Sequence, residues 1–66
     1  MFNIIRDNSR DVFDTAPTID AAVSLVEDFA AKTHREVLDV EVDDEGGADV
    51  ALVRSGSITL FAINPT

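Results

Sequence analysis

Apolar positions recur with two different periods along this chain, and the change of period divides it in two. Phe2-Asn3-Ile4-Ile5-Arg6 is apolar and alternating enough to predict a strand. Asp7-Asn8-Ser9-Arg10 has turn chemistry, because Asp, Asn and Ser side chains bond nearby backbone groups. Asp11-Val12-Phe13-Asp14 predicts a short return strand. Pro17 presets the backbone before a helix, Thr18 is the expected N-cap, and Asp20 falls where the helix dipole favours an anion. From Ile19 to Thr33 the apolar residues Ile19, Ala22, Val23, Val26, Phe29 and Ala30 are spaced by threes and fours, one face of an amphipathic helix. Asp20, Ser24, Glu27, Asp28 and Lys32 occupy the other face, and Asp28 and Lys32 are spaced as an i,i+4 pair. Lys32, His34 and Arg35 crowd the end where the dipole is negative.

After the helix the period becomes two. Leu38, Val40 and Val42 are assigned to one face of a strand, and Val37, Asp39, Glu41 and Asp43 to the other. Asp43 to Ala48 reads as a turn, and Val50 and Leu52 continue the apolar face. Arg54-Ser55-Gly56 is read as a three-residue hairpin loop, which pairs Val53 with Ser57 and sets Ile58, Leu60 and Ala62 beside Leu52 and Val50. A two-residue loop would place apolar residues on both faces, so the longer loop is preferred. Asn64-Pro65-Thr66 ends the sheet.

The expected architecture is α+β: a small antiparallel sheet of four to five strands with one α-helix packed on one face, in the order β-β-α-β-β-β. Residues 1–66 form a single acidic domain, too short for more. One helix covers one face, so the opposite face is expected to carry Val37, Asp39, Glu41, Asp49, Ala51, Val53, Thr59, Phe61 and Ile63. Within it Val53, Phe61 and Ile63, with Ala51 and Ile5, are expected as an exposed apolar interface.

Composition changes this picture in one respect. Thirteen acids stand against five bases, a formal net charge of −8. Such a chain repels phosphate backbones and anionic lipid, which argues against direct nucleic-acid or membrane binding and for attraction to basic protein surfaces. Seven of the acids, Glu36, Asp39, Glu41, Asp43, Asp44, Glu45 and Asp49, fall between residues 36 and 49 with no base among them. They are the candidate partner-binding residues. Alternate strand residues lie roughly 6.6 Å apart, whereas a duplex carries a charge per ~1.7 Å of axis. One ladder is too sparse to imitate DNA. A second row is available from Asp7, Asp11 and Asp14, or from Asp20, Glu27 and Asp28. Two other readings stand beside this one: a solvated strand face with a charged turn, and acidity that serves solubility, as in high-salt adaptation.

Other chemistries find little footing. Without cysteine there is neither a disulfide framework nor a thiolate metal site. A calcium loop begun at Asp39 has Asp44 where glycine is needed and Val50 where an acid is needed. No metal site and no cofactor are expected. His34, the single histidine, has no indicated nucleophile or orienting partner. Ser55 and Ser57 lack the nucleophile-elbow pattern, and Gly46-Gly47 lacks the lysine and helix of a phosphate loop. No enzyme is expected. The absence of a long apolar run or a basic-then-apolar leader points to the cytoplasm.

A short, cysteine-free, acidic chain of one helix and a small sheet resembles the small anti-CRISPR proteins of phages and mobile elements. The resemblance spans the whole chain in size and charge, with Asp39, Glu41, Asp43, Asp44, Glu45 and Asp49 as the residues that carry it. It implies an inhibitor that imitates DNA, with a CRISPR effector subunit as partner and the basic site that reads the PAM duplex as target. The alternative expectation is a small antitoxin-like or housekeeping domain, monomeric or weakly homodimeric, that self-associates through its open sheet face.

Overall fold

The computed structural model describes residues 1–7 and 9–66 of the chain. Asn8, part of the turn expected between the first two strands, lies outside the described residues. The elements are β1 (Phe2–Arg6), β2 (Val12–Ala16), α1 (Ile19–Lys32), β3 (Glu36–Val42), β4 (Ala48–Arg54) and β5 (Ser57–Pro65). This is the expected element order, with β2 reaching two residues further than the sequence pattern suggests.

The strands form one antiparallel sheet in the order β2-β1-β5-β4-β3. The chain leaves one edge at β2, crosses one face as α1 and re-enters at the other edge as β3. The helix has 14 residues, about 21 Å at 1.5 Å per residue. Five strands span about 19 Å between the outer axes. The helix is therefore long enough to cross the whole sheet, and it touches every strand.

Local chemistry sets the helix ends. The Thr18 hydroxyl accepts from the Ala21 N–H at 3.1 Å, satisfying one of the donors left free at an N-terminus. At the other end the Arg35 N–H donates to the Ala30 carbonyl at 2.8 Å and the His34 N–H to the Ala31 carbonyl at 3.4 Å. This is a Schellman cap with His34 in the left-handed position, φ 57°. The Thr33 hydroxyl adds a bond to the Phe29 carbonyl at 2.7 Å.

Ala22, Val26 and Ala30 of α1 are buried against Ile4, Ala48, Val50, Leu52, Phe61 and Ile63 of the sheet, with Ile19, Val23 and Phe29 packed around them. Small residues on the helix let it approach closely, and the bulk comes from the sheet. Phe13, Phe29 and Phe61 meet edge to face, with ring centroids 5.1 to 5.6 Å apart, the preferred geometry for aromatic pairs. Phe13 joins them as the extra residue of a bulge: Ile4 pairs with Asp14 and Ile5 with Val12. The guanidinium groups of Arg6 and Arg35 each sit 5.3 Å from the centre of the Phe29 ring.

Three expectations about register are corrected. The β4–β5 loop has two residues, because Arg54 pairs with Ser57. Ser55 (φ 50°) and Gly56 (φ 81°) both take positive φ, as in the type I′ turn that suits strand twist. The change of one residue reverses β5, since side chains alternate with period two. Phe61 (1 % exposed) and Ile63 (0 %) are therefore core residues under the helix and not part of an open interface, while Ile58 (57 %) and Leu60 (54 %) face outward. Thr59 is likewise buried. In β3, the register shifts between Val37 and Asp39. The extra residue Leu38 puts Val37 in phase with Val40 and Val42, opposite the core positions Leu52, Val50 and Ala48.

The reversed register makes a direct prediction. Phe61→Ala should cost about 3–5 kcal/mol, the usual penalty for emptying a buried aromatic site. Leu60→Ala, one residue away, should cost below about 1 kcal/mol. Chemical denaturation of the two variants separates them; equal losses would contradict this register.

Candidate functional site

The β3–β4 hairpin carries all seven candidate acids, and the structure sorts them into three places. Glu36 is paired with Val53, Asp39 with Ala51, and Glu41 with Asp49. Directly paired residues share a sheet face, so Glu36, Asp39, Glu41 and Asp49 gather on the face away from the helix. All four are exposed. Asp39, Glu41 and Asp49 rim a shallow depression of about 140 Å³ whose remaining lining includes Ala51 and Leu60.

Asp43 stands apart. Its Oδ1 accepts from the Glu45 N–H and the Gly47 N–H, each at 2.9 Å. Its own N–H donates to the Gly47 carbonyl at 3.0 Å. The carboxylate thus closes the turn from inside. Gly47 belongs to the same device, because a Cβ there would lie 2.6 Å from the Ile63 carbonyl oxygen. Asp44 and Glu45 occupy the exposed tip of the turn.

Among the described residues the single ion pair is Arg6 Nε to Asp7 Oδ2 at 3.7 Å. None of the hairpin acids is in a salt bridge among the described residues. Glu41 and Asp49 lie directly opposite each other, an arrangement that destabilises a ladder.

The additional rows of charge considered from sequence are not brought beside this group. Asp14 lies on β2, at the opposite edge of the sheet, and its carboxylate accepts from the Thr15 N–H at 2.8 Å. Asp7 accepts from the Leu60 N–H at 3.1 Å as well as meeting Arg6. Asp20, Glu27 and Asp28 belong to the helix, on the other side of the sheet. Among the described residues, the one acid that joins the ladder from a second strand is Asp49.

The open face beyond the acids is apolar. Cross-strand rows run Val12–Ile5–Ala62–Asp49–Glu41, then Leu60–Ala51–Asp39, then Ile58–Val53–Glu36. Each row is apolar on β5 and ends in an acid on β3. Val53 keeps its expected place on this face, where it is half-buried. Ile58 and Leu60 replace Phe61 and Ile63 as its apolar companions. Sequence spacing alone misses them, because the choice depends on the length of the Ser55–Gly56 turn.

Among the described residues no group of three or more His, Asp or Glu is arranged to hold a metal ion. Among the described residues no helix is long and apolar enough to cross a membrane. Comparison with protein-family models, curated proteins and solved structures finds no match for the chain.

The opposed carboxylates supply a test of this geometry. Glu41→Lys should replace a repulsive cross-strand pair with an attractive one and raise stability by about 0.2–1 kcal/mol. The gain should shrink as salt screens it. Melting curves at low and high salt check both points; a loss of stability at low salt would contradict the pairing.

Proposed function

We propose that this chain is a non-enzymatic acidic binding protein that occupies a basic, nucleic-acid-binding surface of a partner protein. The observation that carries the reading is the group Glu36, Asp39, Glu41 and Asp49, exposed on one side of a hairpin and in no salt bridge among the described residues. Acidity that served solubility alone would be best dispersed. Here two carboxylates oppose each other at a cost to the hairpin, and a basic surface would turn that cost into attraction. Asp44 and Glu45 extend the group at the turn tip. The contact is a compact patch of charge next to apolar surface, not a duplex-length replica, because Asp49 is the one acid of a second row.

In its narrowest form the proposal makes the partner a CRISPR effector subunit and the target its arginine-lined site for the PAM duplex. The expected result is that the protein releases PAM-containing duplex from such an effector, less effectively as salt rises. A variant carrying Glu36→Lys, Asp39→Lys and Glu41→Lys should lose the effect while remaining folded by circular dichroism. Asp43 is left intact in it, since its carboxylate closes the turn. Pull-downs from host lysate at low and high salt extend the test to other basic partners. If the triple reversal retains the same proteins as the parent, the acidic group is not the binding surface.

The exposed Ile58 and Leu60 favour a second reading, an antitoxin-like or housekeeping domain that pairs with another copy through the open face. A two-fold axis parallel to the strands would lay each acidic β3–β4 edge over the partner's β1–β2 edge and keep the acids apart. Sedimentation should then give a dimer that Leu60→Asp disperses. A monomer at high concentration would remove this reading.

A further inference from the structure

β3 is an edge strand with its outer side open. It lies last in the sheet order, and all seven of its residues are exposed. Which backbone groups point outward follows from the pairing. The two-residue loop makes Arg54 and Ser57 a hydrogen-bonded pair, so Leu52, Val50 and Ala48 also bond toward β5. Val53, Ala51 and Asp49 then direct their N–H and C=O groups toward β3, where their partners are Glu36, Asp39 and Glu41. The next inward residue, Asp43, does bond across to Gly47. The amides and carbonyls of Val40 and Val42, and of Val37 beyond the bulge, are left facing away from the sheet.

The side chains along this edge alternate as well. Val37, Val40 and Val42 lie on the helix side, opposite buried Leu52, Val50 and Ala48. They nevertheless remain 39 %, 39 % and 66 % exposed. Glu36, Asp39 and Glu41 lie on the other side. The edge thus offers unpaired backbone donors and acceptors, an apolar row above and an acidic row below. From Asp39 to Val42, past the bulge, the alternation is regular.

We propose that the outer edge of β3 takes an antiparallel extended segment of the partner as a sixth strand, one in which Val, Ile or Leu alternates with Lys or Arg. This mode of recognition draws affinity from main-chain bonds and specificity from alternate side chains. The apolar residues would cover Val40 and Val42, and the basic residues would face Asp39 and Glu41. Charge decides against a second copy of β3 in the same place, since it would set acids against acids. The inference rests on the acidic-binding reading and adds the backbone mode of docking to it.

The test is titration of the isotope-labelled protein at low salt with a short synthetic peptide of alternating lysine and valine. Amide exchange at Val40 and Val42 should slow about tenfold at saturation, as expected for newly bonded edge amides. The amides of Asp39 and Glu41, already bonded to β4, should change little. In an antiparallel pair facing residues on one side exchange both bonds. N-methylation of the peptide's valines should therefore abolish binding, and N-methylation of its lysines should not. Val40→Pro, which removes an outward N–H and no ladder bond, should weaken binding in a protein that remains folded. Equal binding of all the methylated peptides, with Val40 and Val42 unprotected, would overturn the edge inference and leave the acidic reading standing. Equal binding of an alternating glutamate–valine peptide would overturn the selection by charge. If the lysine–valine peptide does not bind at all, the edge inference falls, while the acidic reading is decided separately by the triple reversal in the pull-down.

Discussion

The two-residue turn at Ser55–Gly56 decides what the rest of this molecule can be. β5 is the central strand and the longest, paired with β1 on one side and β4 on the other. A turn of two residues with both φ values positive sets Arg54 opposite Ser57. Every side chain of β5 is then assigned to a face, because strands alternate with period two. Phe61 and Ile63 go under the helix. The aromatic cluster with Phe13 and Phe29 forms around Phe61, and Ile4, Val50 and Leu52 close over the same layer. A loop longer by one residue would leave Phe29 and Phe13 facing Leu60 in place of an aromatic ring and would expose Phe61.

A second constraint is area. One helix of 14 residues can cross a five-stranded sheet but cannot cover it. The core is accordingly concentrated on β1, β4 and β5, and the valines of β3 stay half exposed although the helix reaches that strand. In a domain this small the surface removed from water is limited, about 60 % of what the unfolded chain exposes. The exposed apolar residues of β3 and β5 are part of that shortfall. Acids between them oppose uncontrolled edge pairing, a common protection of open strands. The same acids restrict the partners that can approach to basic ones. Protection and recognition are here two effects of one charge pattern.

Much of the fold was legible in the residues. The helix was marked by spacings of three and four, by the Thr18 cap and by Asp20, and the Schellman end uses the positions where basic residues gather. The grouping of the hairpin acids was legible too, because alternation alone puts Asp39 and Glu41 on one side. The role of Asp43 was not. Its carboxylate looks like its neighbours in sequence, and only the fold of the turn brings two N–H groups to it. Leu38 likewise fits the alternation of Val40 and Val42 in sequence, and a bulge takes it out of phase.

By itself the sequence determined the element order, the amphipathic face of α1, and the acidity of the β3–β4 region, all consequences of local periodicity and charge. Only the tertiary structure decided which residues of β5 are inside, which acids meet, and that β3 stands at an uncovered edge. The physical reason is that a strand's face depends on pairing register, and register depends on a turn whose length is one residue from its alternative. Local pattern is nearly indifferent to that difference, since β5 is apolar on both sides. Packing is not, because one register places an aromatic ring where the helix and the bulge of β2 enclose it.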